Sequence, residues 1–352
     1  MNLLITGGAG FIASNFLPYI LNKYMDIRIV NLDKLTYAGS FDNLKEIQND
    51  PRHIFIQGDI CDRDLVAKIF QEYQIDGVIH FAAESHVDNS IKNPGAFIET
   101  NVKGTYTLLE VARDFWMSGP NKYKPEFLNA RFHHISTDEV FGALGNEGYF
   151  TEDSTYKPNS PYSASKASSD LIVRSYFHTY GLNVVTTNCS NNFGPKQHEE
   201  KLIPTIIRKA LSLEPIPIYG KGKNIRDWLY VLDHCKAIEK VFFEGKAGET
   251  YLIGGHNEKS NLELAEIICE MLDEEKSNLL TQKNKTSFKE LITFVNDRPG
   301  HDFRYAVDDS KLREKLDISI KLDFKNNMRK TIQYYCELYE KNDMPSSTVN
   351  KY

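Results

Sequence analysis

The feature that most constrains the fold is the alternation of short apolar runs with helical patterns over the first 190 residues. Six runs are apolar on both faces of an extended chain, which is typical of strands buried inside a sheet. Such strands, separated by helices, predict an α/β fold of the Rossmann type, a doubly wound parallel sheet with helices on both sides. The runs lie at 3–6, 27–32, 53–56, 78–82, 132–136 and 184–189, and the helical patterns near 11–24, 62–73, 95–116 and 161–180.

The second half has shorter and less regular segments, which predict a smaller unit packed on the first. A polar stretch at 273–288 is interpreted as a mobile surface segment. We expect a Rossmann domain over 1–190, to which the chain returns near 226–253, a C-terminal α/β substrate lobe formed by 191–225 and 254–341, and a tail over 342–352. The segments are helices near 202–213, 232–244, 261–272 and 325–340 and strands near 216–219, 228–231, 249–253 and 291–295.

Composition argues against several classes of function. The 352 residues are 41% hydrophobic and 26% charged, with a net charge of −6, and no run of Lys and Arg suits nucleic acid. No apolar stretch approaches the ~20 residues that span a membrane. The five cysteines are scattered and form no CxxC pair, which indicates a reducing cytoplasm and neither disulfides nor a metal site.

A glycine-rich turn joins the first strand to the first helix. Gly7 and Gly10 permit a tight turn and a close approach of the backbone to a pyrophosphate, which the helix N-terminus attracts. Asp33 ends the next strand, where a carboxylate accepts hydrogen bonds from ribose hydroxyls and repels a 2′-phosphate, so we expect NAD and not NADP. The ends of the third and fourth strands would flank the same cofactor through Asp59, Ile60, Ala82 and Ala83.

Tyr162 and Lys166 lie four residues apart in a helical pattern, so their side chains share one helical face. A cation ~4 Å from a phenol, at an effective dielectric constant of ~20, lowers the phenol pKa by roughly three units. We therefore expect Tyr162 to act as a base near neutral pH. Oxidation of an alcohol needs only one base, so the adjacent carboxylates Asp138 and Glu139, after a predicted strand, indicate a second chemical step.

These motifs, together with six longer blocks, resemble the dTDP-glucose 4,6-dehydratases, which are extended short-chain dehydrogenases/reductases. The Thr137-Asp138-Glu139 triplet is the most specific element of the resemblance, which extends over residues 6–305. One departure from the family pattern lies at 196–199, where an aromatic-containing sequence is usual. The blocks are 82–88, 136–140, 191–195, 200–204, 224–231 and 297–302.

The resemblance implies a reaction in three stages, with NAD⁺ regenerated at the end. Tyr162 would take the proton from the sugar 4-hydroxyl, with Thr137 hydrogen-bonded at the same oxygen, while carbon 4 gives its hydride to nicotinamide. Glu139 would remove the proton on carbon 5, and Asp138 would protonate the departing 6-hydroxyl. Return of the hydride to carbon 6 and of a proton to carbon 5 gives a 4-keto-6-deoxy sugar, and Lys166 assists Tyr162 in the oxidation.

The resemblance also implies two sets of binding residues. Among the substrate contacts, Ser85 would bind a sugar hydroxyl, and two arginines would suit a diphosphate by charge and forked donors. The implied cofactor contacts are Gly7, Gly10, Phe11, Ile12, Asp33, Lys34, Thr36, Asp59, Ile60, Ala82, Ala83, Thr100, Tyr162, Lys166 and Asn192. The implied substrate contacts are Ser85 and Thr137 at the sugar, Asn191, Lys201 and Leu202 at the glycosyl phosphate, Pro217, Ile218 and Tyr219 at the nucleobase, and Arg226, Asn261, Arg298 and His301 at the pyrophosphate and nucleoside.

Three alternatives remain open at this point. The first is a 4,6-dehydratase for another nucleotide-glucose. The second is a nucleotide-sugar 4-epimerase or decarboxylase, which uses Tyr162 and Lys166 but does not need Asp138 and Glu139 as acid and base. The third is a non-catalytic NAD-binding regulator, which would not require all five catalytic candidates.

The resemblance further implies a homodimer. In the family, the helices corresponding to 95–116 and 161–180 pair with their copies as a four-helix bundle. These two segments carry more apolar residues than one face of a sheet needs, for example Val102, Leu108, Leu109, Leu171, Ile172 and Phe177.

Overall fold

A computed structural model describes residues 1–318 and 323–341, and its centre is a parallel sheet of seven strands. Their spatial order is β12-β8-β7-β4-β1-β2-β3, so the chain starts in the middle of the sheet and builds outward in both directions. This is the doubly wound Rossmann arrangement that the alternating pattern predicted. The strands are β1 Asn2–Thr6, β2 Arg28–Asp33, β3 His53–Gln57, β4 Gly77–His80, β5 Met117–Gly119, β6 Lys122–Tyr123, β7 Arg131–Thr137, β8 Val184–Cys189, β9 Asn191–Phe193, β10 Ile216–Tyr219, β11 Ile225–Tyr230, β12 Thr250–Ile253, β13 Glu258–Ser260 and β14 Ile292–Val295.

Helices cover both faces of this sheet through two hydrophobic cores. One core packs α1 and α8 against the sheet, and the other packs α2, α5 and α6 against the opposite face. None of the helices within the described residues is long and apolar enough to cross a membrane. The helices are α1 Phe11–Lys23, α2 Arg63–Tyr73, α3 Val87–Lys92, α4 Pro94–Phe97, α5 Thr105–Trp116, α6 Pro161–Tyr180, α7 Leu202–Leu211, α8 Val231–Glu244, α9 Asn261–Lys276, α10 Ser310–Leu316 and α11 Phe324–Lys341.

The helix α6, which carries Tyr162 and Lys166, begins at a well-defined cap. Ser160 accepts a hydrogen bond from the Ser163 amide, and the Ser163 hydroxyl accepts one from the Ser160 amide. Pro161 occupies the first helical position, where its missing N–H costs no hydrogen bond. The reciprocal cap fixes the first turn of α6 and with it the position of Tyr162.

The second half of the chain forms smaller sheets beside the main one. β9 and β13 flank β11 in a three-stranded sheet, and β10 pairs with β14. The sequence predicted that the chain returns to the Rossmann domain near 226–253. In the structure, α8 and β12 make this return, whereas β11 pairs with β9 and β13 in the small sheet. The division into two domains stays a prediction, and the expected tail over 342–352 lies outside the described residues.

The polar stretch at 273–288 differs from its interpretation as a mobile surface segment. Two short helical turns, Ser277–Lys283 and Phe288–Leu291, lie within it and at its C-terminal end. The side chains of Leu280 and Phe288 are buried in the core beneath α9. Asp273 at the end of the helix accepts a hydrogen bond from the Phe288 amide at 2.8 Å, which anchors the segment.

Candidate active site

A cleft of about 300 Å³ lies at the carboxyl ends of the central strands. Parallel strands place their C-terminal residues at one edge of the sheet, so residues distant in sequence meet there. Each catalytic and cofactor residue expected from the sequence contributes to the lining. These residues are Gly7, Gly10, Phe11, Ile12, Asp33, Lys34, Thr36, Asp59, Ile60, Ala82, Ala83, Thr100, Thr137, Asp138, Glu139, Tyr162, Lys166 and Asn192.

The floor of the cleft is the glycine turn between β1 and α1. Gly7 has a φ of +71°, and a Cβ there would lie 2.7 Å from the backbone nitrogen of Ala82, so only glycine fits. Asp33 at the end of β2 accepts hydrogen bonds from the amides of Ala9 and Leu35, at 2.9 and 2.7 Å. The carboxylate thus holds the turn in place while it faces the cleft.

Asp138 is the first residue after β7 and is almost completely buried. Burial, together with the nearby carboxylates of Glu139 and Asp227, raises the pKa of Asp138 well above its usual value, although Arg226 opposes this rise. Its Oδ2 atom is buried and has no hydrogen-bond partner among the described residues. These surroundings favour the protonated form of Asp138, the form that can donate a proton.

Glu139 lies beside Asp138 but has different neighbours. Burial raises the pKa of Glu139 above its usual value, although the cationic side chains of Arg298, Arg226 and Lys201 oppose this rise. The three cations thus counteract part of the effect of burial and support the ionised form, which a base requires. Two adjacent carboxyl groups in unlike surroundings can thus serve as acid and base.

Tyr162 and Lys166 face the same cleft from α6. Lys166 donates a hydrogen bond to the Ile135 carbonyl at 2.8 Å, and burial lowers the pKa of Lys166 to about 8. Burial and the charge of Glu139 raise the pKa of Tyr162 well above its usual value. Burial and the neighbouring carboxylate therefore act against the lowering of the Tyr162 pKa that was expected from Lys166, and the role of Tyr162 as a base stays a prediction.

Some of the expected substrate contacts line the cleft beside the catalytic residues. Lys201 donates a hydrogen bond from Nζ to the Ser85 carbonyl at 3.1 Å. This bond links the segment at 195–201 to the loop that follows β4. Asn191 has a buried Oδ1 without a hydrogen-bond partner among the described residues. Leu202 is not part of the lining, although it opens α7 immediately after Lys201.

The other expected substrate contacts lie outside this cleft, in the second half of the chain. Tyr219 and Arg298 both contact Asp88, the tyrosine through its hydroxyl and the arginine through Nη1, each at 3.3 Å. His301 lies edge-on to the Tyr219 ring. These contacts place Tyr219, Arg298 and His301 in one group above α3.

Ile218 does not have the position that the sequence suggested. Its side chain is fully buried in a hydrophobic core, whereas those of Pro217 and Tyr219 are on the opposite face of β10. Side chains alternate between the two faces of a strand, so three consecutive residues cannot all face a nucleobase. The side chain of Ile218 is excluded from that role.

Arg226 is buried and has extensive contacts within the protein. Its guanidinium donates to the carbonyls of Asp302 and Phe303 and lies 4.2 Å from the centre of the Tyr305 ring. Asn192 likewise has both polar ends of its side chain engaged within the protein. Asn261, the remaining expected contact, is buried in the first turn of α9.

Sequence reasoning missed part of the cleft lining. Gln197, His198 and Glu200 line the cleft, and His198 packs edge-on against Tyr37 from the opposite side. The departure from the family pattern at 196–199 could have indicated this part of the lining, because it marks a segment whose side chains make contacts of their own in the cleft. Glu84 was missed as well, although it directly follows the Ala82-Ala83 pair.

The amino-acid sequence matches, over residues 4–331, the model of a family described as GDP-mannose 4,6 dehydratase. It is 51% identical over 332 residues to the dTDP-glucose 4,6-dehydratase of Xanthomonas campestris pv. campestris, covering 94% of this chain and 92% of that protein. The chain belongs to the dTDP-glucose 4,6-dehydratase family. Another member, from Salmonella typhimurium, is 52% identical over 344 residues, covering 95% of this chain and 92% of that protein.

Solved structures of this dehydratase family have the same fold. The dTDP-glucose 4,6-dehydratase of Bacillus anthracis, in complex with NAD, aligns with a TM-score of 0.82 at 42% sequence identity. The alignment covers 97% of this chain and 98% of that structure. The family and the Rossmann fold suggested by the sequence motifs are both confirmed.

Proposed function

We propose that this chain converts dTDP-glucose into dTDP-4-keto-6-deoxyglucose, acting as an NAD-dependent hydro-lyase. The observation that carries the proposal is the buried Asp138, whose surroundings favour its protonated form, next to Glu139 in the cleft that also holds Tyr162 and Lys166. An epimerase requires a base for oxidation but no acid to expel a hydroxyl group. The paired carboxyl groups supply that acid and the base for carbon 5.

The residues at the base of the cleft fit NAD. Gly7 provides a cradle that a Cβ would fill, the N-terminus of α1 favours the pyrophosphate, and Asp33 favours free ribose hydroxyls. NAD⁺ held by these residues would supply the acceptor for the hydride of carbon 4 and the donor of a hydride to carbon 6. Within the protein itself, the ammonium of Lys166, one helical turn from Tyr162, favours the phenolate and opposes the effect of burial.

The protein's own groups handle the protons. Tyr162 accepts the proton of the 4-hydroxyl, with Thr137 beside it at the end of β7. Glu139 takes the proton from carbon 5, which the new ketone at carbon 4 has made acidic. Asp138 gives its proton to the 6-hydroxyl, so that this group leaves as water and the bond between carbons 5 and 6 becomes double. Lys201, Arg298 and Arg226 offer the positive charge that a sugar diphosphate requires.

The experiment that tests this function is an assay with dTDP-, UDP- and GDP-glucose as separate substrates. A 4-keto-6-deoxy product absorbs in alkali, and we expect it from dTDP-glucose at the highest rate. If the 4-keto-6-deoxy product forms faster from UDP- or GDP-glucose, the protein is a 4,6-dehydratase that prefers another nucleotide, and the proposed substrate is wrong. Interconversion of 4-epimers without a ketone product would contradict the dehydratase assignment.

We expect the purified protein to retain NAD(H) without added nucleotide. A cofactor that is reduced and reoxidised within one turnover has no need to leave. Denaturation, followed by chromatography of the released nucleotide, checks this expectation. Release of NADP(H) in place of NAD(H) would contradict the role given to Asp33.

A homodimer remains a proposal, with a revised set of surface residues. Leu108 and Leu109 are buried in the core of the single chain and offer nothing to a partner. Ile98, Tyr106 and Leu171 are about half exposed on the same helical segments and form the apolar surface that a second copy would cover.

The free cysteines among the described residues are compatible with a cytoplasmic location, which we also propose.

Light scattering should give about twice the chain mass of 40.4 kDa at micromolar concentration. Leu171→Asp should shift this mass to that of a monomer, because an aspartate at a buried contact is costly. Met25→Asp is the matched control, since Met25 is 76% exposed and lies away from α5 and α6. A wild-type mass of one chain would contradict the proposal.

A further inference from the structure

Asp170 is a buried carboxylate on α6 that the proposed chemical steps do not use. It follows Lys166 by one helical turn, so the two side chains share a face of the helix. Only 4% of Asp170 is exposed. A buried carboxylate is costly unless neighbouring groups stabilise its charge. Here the carboxylate lies one helical turn after Lys166.

The contacts of Asp170 stabilise an ionised carboxylate. Its Oδ2 accepts hydrogen bonds from the Ser136 hydroxyl at 2.9 Å, the Tyr156 hydroxyl at 3.0 Å and the Asn188 amide at 3.0 Å. Its Oδ1 lies 3.1 Å from Nε2 of His134. Burial would raise the pKa of Asp170, but His134, Lys166 and Ser136 together lower it below the usual value.

The charge of the Asp170 carboxylate stabilises the ammonium form of Lys166. Burial lowers the pKa of His134 to about 4, so His134 is neutral and brings no charge. Burial also lowers the pKa of Lys166 to about 8, and the charge of Asp170 opposes that fall. The other titratable or charged groups around the pair are His80 on β4, Asp138 and Glu139 after β7, Tyr156 before α6, Tyr162 and Arg174 on α6, and Cys189 on β8.

We propose that Asp170 is a positioning residue that keeps Lys166 in its ammonium form beside Tyr162. The inference rests on the proposed function. Asp170 is one turn from Lys166 and two turns from Tyr162, and a charge acts more strongly on the nearer group. It therefore favours the ammonium of Lys166 more than it disfavours the phenolate of Tyr162. Without Asp170 the ammonium of Lys166 would lose its proton more readily, and the phenolate of Tyr162 would lose the cation that supports it.

Asp170→Asn tests this role, because it removes the charge and keeps the shape. The measurement is the single-turnover rate of bound NADH formation from dTDP-glucose across neutral and mildly alkaline pH. We expect the plateau rate to fall on the order of tenfold. The midpoint of the profile should also move to lower pH, since loss of a nearby anion makes both groups release protons more readily. Tyr156→Phe is the matched control, because it removes one hydrogen bond and keeps the carboxylate, and its midpoint should not fall.

The outcomes separate a charge effect from a structural one. A lower plateau with an unchanged midpoint would show that Asp170 only supports the fold locally and would overturn the proposal, as would an unchanged profile. If D170N does not fold, as judged by its NAD(H) content, D170S carries the same test with the same expected shift. A wild-type protein that forms no bound NADH with any nucleotide-glucose would overturn the proposed function itself, and this inference with it.

Discussion

Tyr162→Phe should eliminate the first chemical step, so that no bound NADH appears when substrate is added. The substitution removes only the phenolic oxygen that accepts the 4-hydroxyl proton. The ring remains, and its edge-on contact with Phe97 should keep the helix start in place. General bases contribute roughly 10²- to 10⁴-fold, and we expect a loss at the upper end of that range because the proposed mechanism offers no other base at this oxygen.

The sequence offers a matched control for this substitution. Tyr19 and Lys23 have the same spacing on α1, but the Tyr19 hydroxyl donates to Glu239 on the far side of the sheet. Tyr19→Phe should therefore leave NADH formation at the wild-type rate. The measurement is single-turnover absorbance of bound nicotinamide. Normal NADH formation by Tyr162→Phe would place the base for carbon 4 elsewhere.

Asp138→Asn should separate oxidation from elimination. Because the raised pKa of Asp138 favours its neutral, protonated form, asparagine replaces this carboxyl group by another neutral group of similar shape. The charge around Tyr162 then changes little, and oxidation should continue. Loss of the acid should slow departure of the 6-hydroxyl by roughly 10²- to 10⁴-fold, so bound NADH should accumulate.

Exchange with solvent deuterium identifies the step that is blocked. In Asp138→Asn, Glu139 can still remove the proton on carbon 5, so deuterium should enter there without loss of water. Glu139→Gln should also accumulate NADH but should take up no deuterium at carbon 5. Asp153→Asn, in an exposed loop, is the control and should behave as wild type. Normal formation of the 6-deoxy product by Asp138→Asn would contradict its assignment as the acid.

The wild-type dependence on pH follows from the same assignment. A group with a raised pKa keeps its proton to higher pH than usual and loses it as the pH rises through that value. Elimination should therefore decline on the alkaline side as Asp138 ionises, and separately on the acid side as Glu139, the base for carbon 5, takes up a proton. Asp138→Asn should lose this alkaline decline in the elimination step.

Patterns within short segments predicted most of the main sheet. The runs at 3–6 and 184–189 became β1 and β8 because continuous apolar character has one stable solution, burial between two layers of helices. The glycine turn and the strand ends then placed the cofactor and catalytic candidates in one cleft. Strand-end residues could be grouped from the sequence because a parallel sheet aligns its carboxyl ends.

Properties that depend on distant contacts could not be read from the sequence. The pKa of Tyr162 depends on burial and on Glu139, and neither is visible in a four-residue spacing. The segment after α9 looked mobile because it is polar, yet Phe288 and Leu280 anchor it in the core. A π-helical stretch, Ile98–Gly104, likewise interrupts a segment that the pattern treated as one helix.

The catalytic candidates and the proposed nucleotide-recognition residues come from different parts of the chain. The five catalytic candidates lie on the end of β7 and the start of α6, whereas Tyr219, Arg298 and His301 lie in the second half, around Asp88. Substitutions in the later segments can therefore change the nucleotide that the protein accepts, while the residues proposed to react stay the same. Divergence of substrate preference and preservation of chemistry then proceed on separate stretches of one gene.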